Sequence, residues 1–271
     1  MSSSTVYVIG DVHGCYKSLK SLLNELPKDA RFIFLGDTIN RGPASLDCLK
    51  LIMNMGNKAT YILGNHELHC LAVAVGAREL SKKDTFTDIL NAKEASHYIE
   101  WLRKRPLAHF DEKLQTLFVH AGVHPSWTIP QALSYAQEVQ KFLGSPNWGK
   151  EMKSLFGNEP CWNPLLTGKE RLRAIMNVLT RSRFVYLDGK LEFKNNDSPD
   201  TAPFGLYPWF DHPHRQSAGK RIVSGHWSTC GLTIRKDLIT LDTGCCWGQE
   251  LTAIRLPKIR VWQVDGLKKS N

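Results

Sequence analysis

The first third of the chain alternates short apolar runs with amphipathic segments. Residues 5–9 are β-branched and apolar, which is typical of a buried strand. Residues 18–26 then place leucines at helical spacing and end at Pro27. The same alternation occurs twice more, with strands predicted at 31–35 and 59–63 and helices at 43–55 and 67–75. This β-α-β-α-β order predicts parallel strands joined by helical crossovers.

The remainder of the chain shows helical patterns before it returns to strands. Helical spacing covers about 84–109, and a strand is predicted at 116–119. The stretch at about 129–215, rich in helical signals, arginine and tryptophan, is interpreted as a helical cap without a core sheet of its own. Further strands are predicted at 221–224, 238–241 and 251–256. We therefore predict one α/β domain over residues 1–271, a mixed β-sandwich flanked by helices, with the cap inserted into it.

Composition narrows the class of protein. Of 271 residues, 42% are apolar and 23% are charged, so the chain can build its core without disulfides or metals. No apolar run approaches the roughly 20 residues of a membrane-spanning helix, and no secretory signal is visible, which disfavours membrane and export. The seven cysteines lack a C-x-x-C spacing, which favours reduced thiols and a cytoplasmic protein. The net charge of +9 favours an acidic partner such as nucleic acid, nucleotide phosphate or an acidic membrane.

Five of the predicted strands end next to a glycine and a residue that can bind a metal. The segments are GDVHG at 10–14, GDTINRG at 36–42, GNHE at 64–67, HAG at 120–122 and GH at 225–226. In open α/β sheets, ligands bind beyond the carboxyl ends of the strands, so these side chains are expected to converge.

The donor set indicates a metal centre. It offers oxygen and imidazole nitrogen without thiolate, which suits Mn, Fe, Zn or Co. It is too large for one tetrahedral zinc and large enough for two ions that share a carboxylate. Two such ions would activate a water and hold a phosphorus centre for in-line displacement.

These motifs resemble those of the calcineurin-like metallophosphoesterases, in particular the phosphoprotein-phosphatase branch. The segments SGHW at 224–227 and LDTGCCWGQELTAIRL at 241–256 further resemble the bacterial symmetrical diadenosine tetraphosphatases, as does GDVHGCY at 10–16. The resemblance extends from about residue 6 to 256, nearly the whole chain.

The resemblance implies a role for each motif residue. Two divalent metal ions are implied, with Mn²⁺ expected first and Co²⁺, Fe or Zn²⁺ left open. The implied ligands are Asp11 and His13 for the first ion, Asp37 as the bridge, and Asn65, His120 and His226 for the second ion. His66 is implied as the general acid, because a histidine outside the ligand set can donate a proton at neutral pH. Arg41 is implied to bind a phosphoryl oxygen, for which its planar guanidinium is suited.

Asn40 departs from the protein-phosphatase pattern, in which an aspartate orients the acidic histidine. An amide cannot stabilise imidazolium as a carboxylate would. A nucleoside phosphate is a less basic leaving group than a serine alkoxide, so metals and arginine can carry more of the developing charge. This departure favours an anhydride substrate over a phosphoprotein.

The resemblance implies symmetrical hydrolysis of dinucleoside 5′,5‴-P1,P4-tetraphosphates to two nucleoside diphosphates, and the same chemistry extends to dinucleotide-type caps on RNA 5′ ends. Such a substrate needs cations and flat apolar faces, and the expected binding residues are Arg41, Arg181, Arg183 and Trp227. Two alternatives stay open: a protein Ser/Thr or Tyr phosphatase, and a basic nucleic-acid-binding module without activity. Neither a membrane nor an obligatory protein partner is expected.

Overall fold

Two five-stranded sheets form the centre of the molecule, whose computed structural model describes residues 5–268. The strands are β1 Val6–Ile9, β2 Arg31–Phe34, β3 Ala59–Tyr61, β4 Ala108–Asp111, β5 Thr116–Val119, β6 Phe184–Tyr186, β7 Leu206–Pro208, β8 Arg221–Ser224, β9 Thr233–Ile234, β10 Leu238–Thr240, β11 Glu250–Leu256 and β12 Arg260–Asp265.

Eight α-helices surround the sheets within the described residues. They are α1 Tyr16–Asn24, α2 Ser45–Met53, α3 Asn65–Ala74, α4 Thr87–Leu90, α5 Ala95–Arg103, α6 Ile129–Gly144, α7 Trp148–Glu151 and α8 Gly168–Arg181. None of these helices combines the length and the hydropathy required to cross a membrane.

The order of the strands bears out the predicted crossovers. The first sheet has the order β12-β11-β1-β2-β3, in which β1, β2 and β3 are parallel and β11 pairs antiparallel with β1. The second has the order β4-β5-β8-β10-β9, in which β5, β8 and β10 are parallel. The parallel strands of each sheet therefore end at a common edge.

The alternation of side chains along β1 explains how the layers are held together. Val6 and Val8 pack in a fully buried cluster with Phe118 of the second sheet. Tyr7 and Ile9 point the other way, into the larger core that the sheets share with the helices. A strand buried on both faces reads as a continuous apolar run, and this is why β1 was visible in the sequence.

Three strands lie in segments for which the sequence predicted helices or a helical cap. His109 lies in β4 rather than in a helix, because α5 ends before Pro106 and the chain then pairs with β5. The segment at 129–215 contains α6, α7 and α8, and it also contains β6 and β7, which pair antiparallel in a two-stranded sheet separate from the two five-stranded ones. Each of these two strands has three residues, too few for a period-2 pattern. The division into a domain and an inserted cap stays a prediction.

Candidate active site

The carboxyl ends of five strands bring the predicted ligands together. Asp11 follows β1, Asp37 follows β2 and Asn65 follows β3, all in the first sheet. His120 follows β5 and His226 follows β8, in the second sheet. The site therefore lies where the ends of the parallel strands of both sheets meet.

Asp37 lies at the middle of this cluster. Its Oδ2 is 3.3 Å from Nε2 of His120, 3.8 Å from Nε2 of His66 and 4.0 Å from Nε2 of His13. Two groups of three side chains share this carboxylate, His13, Asp37 and His66 in one and Asp37, His120 and His226 in the other, and the donor atoms of each lie within 4.8 Å of one another. Asp11 adds a second carboxylate to the first group, with its Oδ2 3.9 Å from Nε2 of His13, so the Asp37 carboxylate lies between two sets of donors, as a pair of cations requires.

The carboxylates of the cluster are buried. Burial raises the pKa of Asp11 well above its usual value, and the nearby Asp242 and Asp37 raise it further. Burial also acts to raise the pKa of Asp37, but the imidazoles of His120 and His66 outweigh it and hold this pKa well below its usual range. Neighbouring buried carboxylates repel one another, and positive charge placed among them relieves the repulsion.

The contacts of the Asn65 amide indicate whether the side chains of the cluster suit a cation. The amide atom that faces the centre lies 3.2 Å from Nε2 of His120, 3.3 Å from Oδ2 of Asp37 and 3.0 Å from Nδ1 of His226. If this atom is the amide oxygen, it faces the hydrogen-bond acceptors of Asp37, His120 and His226. A cation bound between these acceptors would remove their mutual repulsion. The alternative, with nitrogen there, donates to the same atoms and is the arrangement of a metal-free centre. Oxygen and imidazole nitrogen without thiolate suit Mn, Fe, Zn or Co, so the residues present fit the implied ions.

His120 is oriented as metal-binding histidines commonly are. Nδ1 of His120 lies 2.8 Å from the carbonyl oxygen of Leu35 and donates to it, which leaves the lone pair of Nε2 directed at the centre, where a metal ion would bind. Nδ1 of His13 and Nε2 of His226 are buried and have no hydrogen-bond partner among the described residues.

The backbone around the cluster is strained. Within the described residues, six non-glycine residues have positive φ, and all but Gln115 belong to this site. They are His13, Asp37, Asn40, Arg41 and His226, with φ between 46° and 72°. Such conformations cost about 1–3 kcal/mol each and persist only where the surrounding structure imposes them.

Glycines next to the ligands let carboxylates approach the backbone. A Cβ on Gly64 would lie 2.1 Å from Oδ1 of Asp37, and a Cβ on Gly225 would lie 2.0 Å from Oδ1 of Asp11. Any side chain at either position would displace a proposed metal ligand.

Glu67 anchors the loops, a role that the sequence analysis missed. Its buried carboxylate accepts the backbone N–H groups of Gly64 and Asp37, both at 2.8 Å, and of Thr38 at 2.9 Å. The Tyr61 hydroxyl donates to it as well, at 3.0 Å. A glutamate at the third position of a helix after an N-terminal glycine is a capping signal, and that signal could have identified it.

Asn40 fixes the orientation of the His66 ring. The Asn40 side-chain oxygen accepts the backbone N–H groups of Arg41 at 2.8 Å and Thr85 at 2.9 Å. Its amide nitrogen is thereby directed at Nδ1 of His66, 2.8 Å away, and at Oδ1 of Asp84, 2.9 Å away. Because Nδ1 accepts this bond, the proton of neutral His66 lies on Nε2, which faces the centre.

Asp84 supplies the carboxylate that the motif appeared to lack. It stands behind Asn40 and also lies 2.8 Å from Nε2 of His69. Burial lowers the pKa of His66 to about 3, so this ring is neutral at pH 7 and can donate a hydrogen bond from Nε2. No local motif marks Asp84, because only the fold brings it next to Asn40.

Two clefts open from the cluster, and each holds one of the predicted arginines. The Arg181 cleft, also lined by Arg78, Lys83 and Phe156, has a volume of about 670 Å³. The Arg183 cleft, also lined by Trp227 and Trp247, has a volume of about 350 Å³. Both volumes are in the range of small-molecule sites. Both arginines were expected among the substrate-binding residues, and the end of α8 places them in different clefts.

Trp227 forms part of the wall of the Arg183 cleft. Its side chain is only 3% exposed, and the Phe184 ring packs edge-on against it at 4.8 Å. Its indole N–H donates to the carbonyl oxygen of Asp197 at 2.9 Å. Trp247, on the same cleft, is 58% exposed.

The fold and the donor cluster together define a metallophosphoesterase. The chain belongs to the calcineurin-like phosphoesterase family, whose model matches residues 4–226. The resemblance found in the motifs is thereby confirmed.

The names of two relatives indicate which kind of metallophosphoesterase this chain resembles. A protein of Burkholderia thailandensis named "Bis(5'-nucleosyl)-tetraphosphatase, symmetrical" is 45% identical over 258 residues, which cover 94% of this chain and 91% of the relative. A protein of the same name from Burkholderia pseudomallei (strain 668) is 46% identical with the same coverage.

Solved structures agree on the fold. A candidate diadenosine tetraphosphatase superposes with a TM-score of 0.66 at 19% identity, covering 99% of this chain and 96% of the other. A protein serine/threonine phosphatase from Saccharomyces cerevisiae superposes with a TM-score of 0.56 at 14% identity, covering 98% of this chain and 81% of the other. At such low identities these likenesses establish the fold alone.

Proposed function

We propose that this protein hydrolyses dinucleoside tetraphosphates symmetrically, so that diadenosine tetraphosphate gives two molecules of ADP. The observation that carries the proposal is the single buried carboxylate of Asp37 between two sets of metal-type donors, in a chain 45% identical to proteins named for this reaction.

The proposed centre holds two divalent ions. Asp11, His13 and Asp37 would bind one, and Asp37, Asn65, His120 and His226 would bind the other. Mn²⁺ is proposed first, and the donor set also accepts Co²⁺, Fe or Zn²⁺. When bound, such ions supply Lewis acidity and an activated water.

The chain's own groups bind and orient the substrate. Arg41 lines both clefts, so its guanidinium can bind phosphoryl oxygens on either side of the centre. Its Nη1 donates to the carbonyl oxygen of Lys83, 3.3 Å away, and this bond orients the side chain. His66, kept neutral by burial, directs its Nε2–H towards the same centre and would donate to a phosphoryl or leaving oxygen. Its role as a full general acid stays a prediction.

The reaction would also extend to dinucleotide-type caps on RNA, for which the net charge of +9 is favourable. We also propose a cytoplasmic location, in keeping with seven cysteines that are all free thiols.

Product analysis tests the proposed function. Protein loaded with Mn²⁺ is incubated with diadenosine tetraphosphate, and ADP is expected as the only nucleotide product. AMP together with ATP would contradict symmetrical cleavage. Asp37→Ala, checked for folding by circular dichroism, serves as the inactive control. A phosphopeptide assayed in parallel tests the protein-phosphatase alternative, and turnover faster than that of the dinucleotide would favour it.

A further inference from the structure

The arginines of the 171–183 segment fall into two kinds. Arg171 forms a two-pronged ion pair with Glu138, at 2.6 and 2.8 Å, and Arg173 donates to backbone carbonyls. Arg181 and Arg183, in contrast, form no ion pair with a carboxylate among the described residues, although both are half-buried. Half-buried guanidinium groups without a carboxylate partner beside a proposed phosphate site are suited to an anionic ligand.

The Arg181 cleft combines positive charge with an aromatic face. Its lining includes Arg41, Arg78 and Lys83 besides Arg181, together with two acidic residues, Asp84 and the exposed Glu79. The guanidinium of Arg78 lies 4.9 Å from the centre of the Phe156 ring. A ring with a stacked guanidinium is a flat platform of the kind on which nucleobases stack.

The Arg183 cleft also combines an arginine with an aromatic face. Arg183 lines this cleft together with the carboxylates of Asp37 and Asp242. The aromatic face is the exposed indole of Trp247, which ends a turn at Cys245–Trp247.

The two clefts meet at the centre. Their linings share three residues, Arg41, Asn65 and His66, and are otherwise different. A symmetrical cut requires the middle of the tetraphosphate to lie at the reacting centre. Two equal halves of the substrate must then extend away from it in different directions.

We propose that each cleft binds one nucleoside diphosphate half of the substrate. The Arg181 cleft holds one half, with its base on Phe156 and Arg78, and the Arg183 cleft holds the other, with its base on Trp247. This proposal rests on the proposed function and adds a reason for its regiochemistry. Two base platforms on either side of the centre hold the chain of phosphates so that its middle bond is the one exposed to attack.

The binding stoichiometry of ADP tests the proposal. Isothermal titration calorimetry of the Mn²⁺-loaded protein is expected to give two ADP per chain. Phe156→Ala should weaken one of the two sites about tenfold or more, and Trp247→Ala the other, because stacking on an aromatic ring contributes strongly to base binding. Arg78→Ala, at an exposed position, should weaken the same site as Phe156→Ala without risk to the core. Phe204→Ala, an exposed aromatic outside both clefts, is the matched control and should leave both sites unchanged.

Kinetics separate this proposal from the proposed function. Each of the three cleft variants should lower kcat/KM for diadenosine tetraphosphate about tenfold while ADP remains the only product. One ADP per chain in the unmodified protein, or two undisturbed sites in both Phe156→Ala and Trp247→Ala, would overturn the two-cleft proposal. Failure of the proposed function would appear differently, as AMP and ATP among the products of the unmodified protein.

Discussion

At the scale of single residues, Asn40 has a different role from the one its motif suggested. Its amide oxygen is held by two backbone N–H groups, so its nitrogen must donate to His66 and to Asp84. The Asp84 carboxylate therefore orients the Asn40 amide, and the Asn40 amide orients the His66 ring. A neutral, fixed His66 is compatible with a nucleotide leaving group, which needs little protonation.

Asp84→Asn tests this chain of hydrogen bonds. In the wild type, the Asp84 carboxylate accepts a hydrogen bond from the Asn40 amide nitrogen. An asparagine at position 84 can place its own N–H group there instead, so the Asn40 amide and the His66 ring that it orients become less firmly held. We expect kcat to fall about tenfold or more, as for other residues that orient groups at metal sites, with the metal content unchanged. Asp200→Asn, at an exposed position, is the control. An unchanged kcat in Asp84→Asn would show that the ring does not depend on this relay.

His124 gives a pH-dependent prediction about stability. Burial lowers its pKa in the folded protein to about 4, below the value near 6.5 that it regains on unfolding. Between these values the unfolded chain binds the extra proton, so the free energy of unfolding falls as the pH drops from about 6.5 to about 4. The loss amounts to roughly 3 kcal/mol. Urea unfolding should show that His124→Gln removes part of this acid dependence and that exposed His97→Gln does not, and the same slope in all three proteins would contradict the assignment.

At the scale of secondary structure, the loops after the strands are as important as the strands. The Glu67 carboxylate, at the start of α3, holds the backbone of the loop after β2 and so fixes where Asp37 lies. One helix terminus thereby positions the proposed bridging ligand.

Glu67→Gln tests this anchor. The amide offers a donor where the carboxylate accepted N–H groups, so buried donors lose their partners. We expect the free energy of unfolding to fall by about 2–3 kcal/mol. Exposed Glu94→Gln should change it little, and a Glu67→Gln protein as stable as the control would contradict the anchoring role.

Strands in the interior of the two sheets could be predicted from the sequence, whereas three of the four edge strands, β4, β9 and β12, could not. Strand β8 was predicted to the residue, since its apolar run is bounded by turn signals. Strand β12 was missed, because it is a half-exposed edge strand without a regular apolar pattern. In the site, the proposed ligands follow from local motifs. The positions of Asp84 and of the separate clefts depend on contacts between distant segments, which a single sequence does not encode locally.

At the scale of the whole molecule, the proposed centre is shared between both sheets. Asp11, Asp37 and Asn65 come from the first sheet, and His120 and His226 from the second. The donors separate when the sandwich unfolds, so ions bound to them should stabilise the folded protein.

Removal of metal should therefore lower the melting temperature. Mn²⁺ at about a thousand times its dissociation constant would add about 4 kcal/mol to the free energy of unfolding, and a chelator would remove it. Thermal unfolding with and without chelator measures the effect, and His226→Ala should reduce it. Equal melting temperatures in both conditions would argue against metal binding at these donors.

Anomalous diffraction from crystals of the Mn²⁺-loaded protein tests the central claim most directly. We predict two manganese peaks per chain, both in contact with the carboxylate of Asp37, one beside Asp11 and His13 and the other beside Asn65, His120 and His226. A single peak, or peaks that do not touch Asp37, would contradict the account.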